Sequence, residues 1–97
     1  MTTATTAPNG RLVILDARTY AHLARRRPQM LRHVGAILST VHRPDFEEDD
    51  PAAERVRFFR RDLNRRRWLR VVVDFSESPA FVVTAFAQSH EPNIPSR

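Results

Sequence analysis

RWLRVVVDF at residues 67 to 75 and AFVVTAFA at residues 80 to 87 are the two stretches that decide the fold of this chain. Both are rich in β-branched and aromatic residues, and the SESP segment between them is typical of a hairpin loop. The preceding run RVRFFRR, at residues 55 to 61, also alternates between polar and apolar positions. The pattern therefore predicts three successive antiparallel strands.

Alternation gives these strands two different faces. The apolar face is formed by Val56, Phe58, Leu69, Val71 and Val73. The opposite face carries Arg57 and Arg70 beside aromatic residues, and in the last strand Thr84 is predicted to share a face with Val82 and Phe86. We expect the apolar face to pack on helices, which leaves the arginines where an RNA backbone can meet them.

The region before these strands predicts one strand and two helices. RLVIL, at residues 11 to 15, is a short apolar run typical of a strand, and Asp16 stands where a helix N-cap is expected. Apolar residues then recur at helical spacing over residues 17 to 27 and again over 28 to 42, with Pro28 between the two runs. The acidic segment at residues 45 to 54 is predicted to be a loop or an edge strand.

The fold class predicted is thus α+β, with two consecutive N-terminal helices packed on an antiparallel sheet of three or four strands. Residues 1 to 10 and 90 to 97 lack periodicity and are predicted to be flexible, leaving one domain at residues 11 to 89. No run approaches the ~20 apolar residues of a membrane span, and the start lacks the pattern of a leader peptide. With no cysteine for disulfides, a cytoplasmic protein is expected.

The charge of the chain is unevenly distributed. All sixteen basic residues are arginine, and the net charge is +5. Residues 1 to 44 sum to +6 and residues 55 to 70 to +7, whereas the intervening residues 45 to 54 sum to −6. Arginine matches phosphate oxygens with two parallel donors, so two basic blocks favour a polyanionic partner, although a GC-rich genome or a solvated charged face also accounts for them.

Few residues suggest catalysis. His22 lies off the apolar stripe of its helix, beside arginines, and is either a surface residue or part of an anion site. Neither the other histidines nor the acidic run at residues 47 to 50 has the spacing of a metal site, so no metal and no cofactor is predicted. P-loop, GxGxxG and GxSxG motifs are absent from the sequence.

Five short motifs in order resemble the barnase/EndoU/colicin/RelE-like ribonuclease superfamily, in its phage- and toxin-associated branch. They are HLARRRP at residues 22 to 28, RPD at 43 to 45, RVRFFRR at 55 to 61, RWLRVVVDF at 67 to 75 and FVVTAF at 81 to 86. The match covers residues 11 to 88. One position departs from the family pattern, because Arg27 stands where the family often has histidine before the proline.

The resemblance implies a metal-independent endoribonuclease that cleaves RNA through attack by the ribose 2′-hydroxyl. It implies that His22 is the catalytic histidine, that Arg26 and Arg57 contact phosphate, and that Thr84 supplies a hydroxyl to the site. A role that the family gives to lysine would pass to Arg67 or Arg70, or to no residue of this chain. An antitoxin or immunity protein is the partner expected beside RNA. A non-catalytic RNA- or DNA-binding module and a protein-binding module without a nucleic acid role are the alternatives.

Overall fold

The computed structural model describes residues 3 to 63 and 67 to 88. The strands are β1 (Thr3–Thr6), β2 (Leu12–Leu15), β3 (Phe46–Asp49), β4 (Arg55–Leu63), β5 (Arg67–Asp74) and β6 (Ala80–Gln88), and the α-helices are α1 (Ala17–Arg26) and α2 (Val34–His42). All six strands form one sheet in the order β1-β2-β6-β5-β4-β3. The protein therefore has the α+β fold class that was predicted. No helix in the described residues is long and apolar enough to cross a membrane.

The main hydrophobic core lies on one face of the sheet, where the helices contact it. Leu23 of α1 and Ile37 and Val41 of α2 are fully buried there, with the inward side chains of β4, β5 and β6. Those strand residues are Phe58, Leu69, Val71, Val73, Ala80, Val82 and Ala85. The predicted apolar face of β4 and β5 is thus the face that forms the core, because every second side chain of a strand points to the same side.

Helix α1 begins at the predicted cap. The carboxylate of Asp16 accepts hydrogen bonds from the amides of Arg18 at 3.1 Å and Thr19 at 3.3 Å, which satisfies two amides that the first turn leaves without partners. The helix ends at Arg26, one residue short of the predicted end, and the amide of Arg27 closes it on the carbonyl of Leu23.

The predicted second helix over residues 28 to 42 is divided into two parts. Pro28–His33 forms a 3₁₀ helix, and only α2 from Val34 onward is α-helical. Met30 is the one buried residue in the 3₁₀ segment, so little packing stabilises a longer α-helix there.

The N-terminal segment contains a strand where flexibility was predicted. Thr3–Thr6 pairs antiparallel with β2, and the turn between them has Gly10 at a φ of 84°, a conformation that glycine adopts easily. Asn9 supports this turn by accepting the amide of Arg11 at 3.0 Å. The segment that was predicted to be flexible therefore forms a strand over Thr3–Thr6.

The sheet is larger and more mixed than predicted. Strands β3 to β6 run antiparallel to their neighbours, but β6 pairs parallel with β2 through Val13–Ala80 and Ile14–Phe81. The acidic segment supplies β3 at the sheet edge, which is the edge-strand alternative. The predicted C-terminal tail at residues 90 to 97 lies outside the described residues.

Candidate active site and cationic face

The site begins where β6 loses its neighbouring strand. Strand β2 pairs with β6 only at Ala80 and Phe81, and beyond this point helix α1 contacts β6 instead. The hydroxyl of Thr19 donates to the backbone carbonyl of Val82, so the helix satisfies a backbone acceptor at the strand edge. As a result, one side of α1 is held against the edge of β6.

His22, one turn after Thr19, reaches Thr84 from this position. Its Nε2 atom lies 3.0 Å from Oγ1 of Thr84, within hydrogen-bond distance, and both residues are half-buried. The two residues are far apart in sequence and belong to different elements. The structure thus brings together the histidine to which the resemblance assigns catalysis and the threonine to which it assigns the hydroxyl of the site.

A bulge in β6 determines which way Thr84 points. The register with β5 shifts so that Val72 pairs with Thr84 while Val73 pairs with Val82, and this inserts Val83 between them. Val82 is consequently buried in the core, whereas Thr84 lies on the opposite face of the sheet, the open face, which the helices do not cover. The prediction that Val82 and Thr84 share a face was wrong, because that prediction assumed an unbroken alternation.

A cleft of about 240 Å³ lies beside this pair. It is lined by Arg18, Thr19, His22, Phe81, Val82 and Val83. The guanidinium of Arg18 is 4.7 Å from the centre of the Phe81 ring and forms an ion pair with Asp16 at 3.0 Å. His22 therefore borders a space with one aromatic wall and one cation, features that suit part of a nucleotide.

Arg57 does not contact the His22–Thr84 pair. It pairs with Val72, which pairs with Thr84, so Arg57 lies two strands away in the same row, about 10 Å from Thr84. Its contact with phosphate, which the resemblance implies, stays a prediction.

The side chain of Arg57 is bound by two carboxylates from the acidic segment. Its Nη1 donates to Glu48 at 2.8 Å and its Nε to Asp50 at 3.2 Å, and all three side chains are largely buried. The bond to Glu48 raises the pKa of Arg57, and the Ala52 amide, together with Arg57, holds the pKa of Asp50 below its usual value. The cation is thus neutralised locally.

Arg70, on the neighbouring strand, forms no ion pair with a carboxylate within residues 3 to 63 and 67 to 88. Its guanidinium lies over two aromatic rings, 5.1 Å from the centre of Phe86 and 5.8 Å from that of Phe59. Burial lowers the pKa of Arg70 and the nearby charge of Arg57 lowers it further, whereas the charges of Asp50 and Glu48 act in the opposite direction. Arg70, for which phosphate binding was predicted, is therefore a half-buried cation that contacts two aromatic rings.

Arg27 is a residue that the sequence argument did not select for binding. It caps the C-terminal end of α1, and its guanidinium lies 4.6 Å from the centre of the Phe86 ring, which Arg70 also contacts. The sequence shows only that an arginine follows α1. This position does not predict that Arg27 contacts Phe86, or that Arg70 contacts the same ring.

The aromatic residues of this face are packed rather than open. Phe46 of β3 stacks on Phe59 at 5.1 Å and meets Trp68 edge-on at 5.2 Å. Phe59 and Trp68 retain only 1% and 8% of their exposure. Nucleic acid bases would find little free ring surface here, so the face presents mainly guanidinium groups.

The remaining candidates lie at the periphery. Arg26, at the end of α1, and Arg67, the first residue of β5, are both exposed. His42 lies at the end of α2, where its Nδ1 is 2.9 Å from the carbonyl of Thr6. Within residues 3 to 63 and 67 to 88, no three histidine, aspartate or glutamate side chains converge as a metal site requires.

Comparison with family models, with curated proteins and with solved structures finds no match for this chain.

Proposed function

We propose that this protein is a small metal-independent endoribonuclease. The observation that carries the proposal is the 3.0 Å contact between His22 and Thr84, beside a cleft and two residues along β6 from Phe86, on which Arg70 stacks. An imidazole titrates near neutral pH and can therefore transfer protons under physiological conditions. A histidine held by a hydroxyl at the edge of a cationic face is suited to cleaving a phosphodiester.

The reaction uses the ribose 2′-hydroxyl as its nucleophile. Its oxygen forms a bond to phosphorus while the bond from phosphorus to the 5′-oxygen breaks. His22 takes the proton of the 2′-hydroxyl, and the departing 5′-oxygen takes a proton from solvent. The products are a 2′,3′-cyclic phosphate and a free 5′-hydroxyl. Thr84 acts as a positioning residue that holds the imidazole through Nε2.

Negative charge builds on the phosphate oxygens during this step and needs fixed cations. Arg70 is the closest match among the predicted residues, since its register partner Phe86 is two residues from Thr84 and it has no carboxylate partner among the described residues. Arg57 would act from the next strand. Exposed Arg26 and Arg67 would bind phosphates farther along the RNA.

The chemistry and the resemblance together suggest a toxin-like or phage-derived enzyme with a RelE- or barnase-like arrangement of helices and sheet. Its substrate would be RNA of the cytoplasm. An antitoxin or immunity protein that inhibits it would need acidic groups to cover the arginines of the open face.

The test is cleavage of a mixed-sequence RNA in EDTA, with cyclic-phosphate ends as the readout. We expect His22→Ala to lower the cleavage rate by about 10²- to 10⁴-fold, the range for loss of a general acid or base. His42→Ala removes a histidine that contacts the β1 backbone and serves as the control. Cleavage that survives His22→Ala, or that appears only with added divalent metal, would refute the mechanism.

The second candidate is an RNA- or DNA-binding module without catalysis. It is favoured by the two ion pairs that bind Arg57, because they remove one of the cations that catalysis was expected to use. This candidate predicts RNA binding that weakens steeply with salt, by about −0.7 in log–log slope per phosphate contact, without any cleavage. A flat salt dependence would instead favour a protein-binding role.

A further inference from the structure

Two arginines from different elements lie on one phenyl ring. Arg27 follows α1, Arg70 belongs to β5, and their guanidinium carbons lie 4.6 Å and 5.1 Å from the centre of the Phe86 ring. Arg70 and Phe86 are also direct register partners in the sheet. Both cations are therefore fixed in place by the same aromatic side chain of β6.

Each of these arginines has a buried donor without a partner. The Nε atoms of Arg27 and Arg70 are inaccessible to solvent and make no hydrogen bond within the part of the chain that the structure describes. Buried N–H groups are nearly always paired in folded proteins. Two like charges that converge on one ring also repel each other. An anion bound at the two guanidinium groups would offset this repulsion.

Other arginines of the chain show that stacking alone does not produce this situation. Arg11 also lies over a ring, 5.3 Å from the centre of Phe75, but its Nη1 and Nη2 atoms donate to the backbone carbonyls of Phe75 and Glu77 at 2.9 Å and 2.7 Å. Arg18, over Phe81, is paired with Asp16. Arg27 and Arg70 are therefore distinguished by donors that lack an acceptor.

The position of this pair relates it to His22 and Thr84. Phe86 follows Thr84 by two residues in β6, and both lie on the open face, so the ring is about 7 Å along the strand from the hydroxyl. A single RNA strand lying along β6 can place one phosphate at His22 and the next beside Phe86. The guanidinium fork is suited to binding phosphate oxygens in pairs.

We infer that Arg27 and Arg70, held on Phe86, form a second phosphate subsite that binds the RNA phosphate next to the one cleaved. The identity of the ligand as RNA rests on the proposed function. The site itself rests on the two guanidinium groups that share the Phe86 ring and on their buried Nε donors, which make no hydrogen bond within the described residues.

The direct test is binding of a 2′-O-methyl hexanucleotide, which has no free 2′-hydroxyl and cannot be cleaved. We expect Arg27→Gln and Arg70→Gln each to weaken binding about tenfold at low salt and to reduce the salt slope by about 0.7. Arg11→Gln removes the same charge from a stacked arginine whose Nη1 and Nη2 atoms both donate to backbone carbonyls, and should change the slope little. If Arg70→Gln fails to fold, the hexanucleotide affinity and the salt slope of Arg27→Gln alone test the subsite.

A second arm separates free phosphate from RNA as the ligand. Inorganic phosphate should raise the melting temperature of the wild-type protein and of Arg11→Gln more than that of Arg27→Gln. If phosphate does so but both subsite variants bind the hexanucleotide with wild-type affinity and slope, RNA is not the ligand and the inference is overturned. If the hexanucleotide arm behaves as expected while natural RNA is never cleaved, the subsite stands and the proposed ribonuclease activity is refuted.

Discussion

Replacing Thr84 with valine deletes the hydroxyl that meets His22 and keeps the shape of the side chain. A net hydrogen bond contributes about 0.5 to 1.5 kcal/mol, and water can partly replace this one because both residues are half-buried. We therefore expect a loss of about 0.5 to 1 kcal/mol in the free energy of unfolding. For a domain of this size that corresponds to a fall of about 2 to 8 °C in the melting temperature.

The effect on cleavage should exceed the effect on stability. Without the hydroxyl, the imidazole of His22 can rotate away from the reacting phosphate, and misplacement of a catalytic group by about 1 Å can reduce a rate by about 10². We expect Thr84→Val to lower kcat by about 10- to 100-fold, with KM little changed. Thr40→Val is the matched control, since the Thr40 hydroxyl donates to the carbonyl of Ala36 inside α2 at 2.7 Å. It should lower stability without lowering kcat.

A double-mutant cycle shows whether Thr84 acts through His22. If it does, Thr84→Val has no further effect on the residual cleavage of His22→Ala, and the coupling energy nearly equals the single effect of Thr84→Val. The assay is single-turnover cleavage in EDTA, with thermal unfolding measured on the same samples. Rate losses that multiply in the double variant, or wild-type cleavage by Thr84→Val, would refute the positioning role.

Two further predictions concern charges outside this pair. Arg57→Gln leaves the largely buried Glu48 and Asp50 without their cation and should lower the free energy of unfolding by about 1 to 2 kcal/mol. Adding Glu48→Gln and Asp50→Asn should restore the lost stability. If the RNA affinity of this restored variant stays low, Arg57 contacts phosphate directly, whereas wild-type affinity excludes such a contact. The hydrogen bonds from Ser76, with the ion pair to Arg55, hold the pKa of Asp74 below its usual value. The ionised carboxylate therefore stabilises the fold at pH values above its unfolded pKa of about 3.9, and this stabilisation is lost as the pH falls through the folded pKa. The stability deficit of Asp74→Asn in thermal unfolding should then be large at pH 7 and shrink below about pH 4, and an equal deficit at both pH values would contradict this assignment.

The sequence predicts the parts of this fold in which local pattern and tertiary packing agree. The alternation in β4 and β5 correctly separates core from open face, and Asp16 caps α1 as expected. The N-terminal hairpin was also predictable, because Asn9–Gly10 between a threonine-rich run and an apolar run is a strong turn signal. The division of residues 28 to 42 was not, since the same apolar spacing fits one helix or two.

The candidate site was predictable in its residue types but not in its partners. His22 and Thr84 were selected through the resemblance, and their contact depends on a register shift that no alternation pattern reveals. The sequence also does not predict which groups each arginine contacts. Arg57 is neutralised because β3 brings Glu48 beside it, and Arg27 reaches Phe86 because α1 ends at the edge of β6. Pairings of this kind are fixed by tertiary structure alone.

Two local irregularities together create the site. Strand β2 stops pairing after Phe81, which lets α1 occupy the edge of β6 and extend His22 toward the open face. The bulge at Val83 turns Thr84 out of the core to meet it. Because Glu48 and Asp50 neutralise Arg57 farther along the sheet, the positive charge of this face is concentrated at Arg27 and Arg70, two residues along β6 from Thr84.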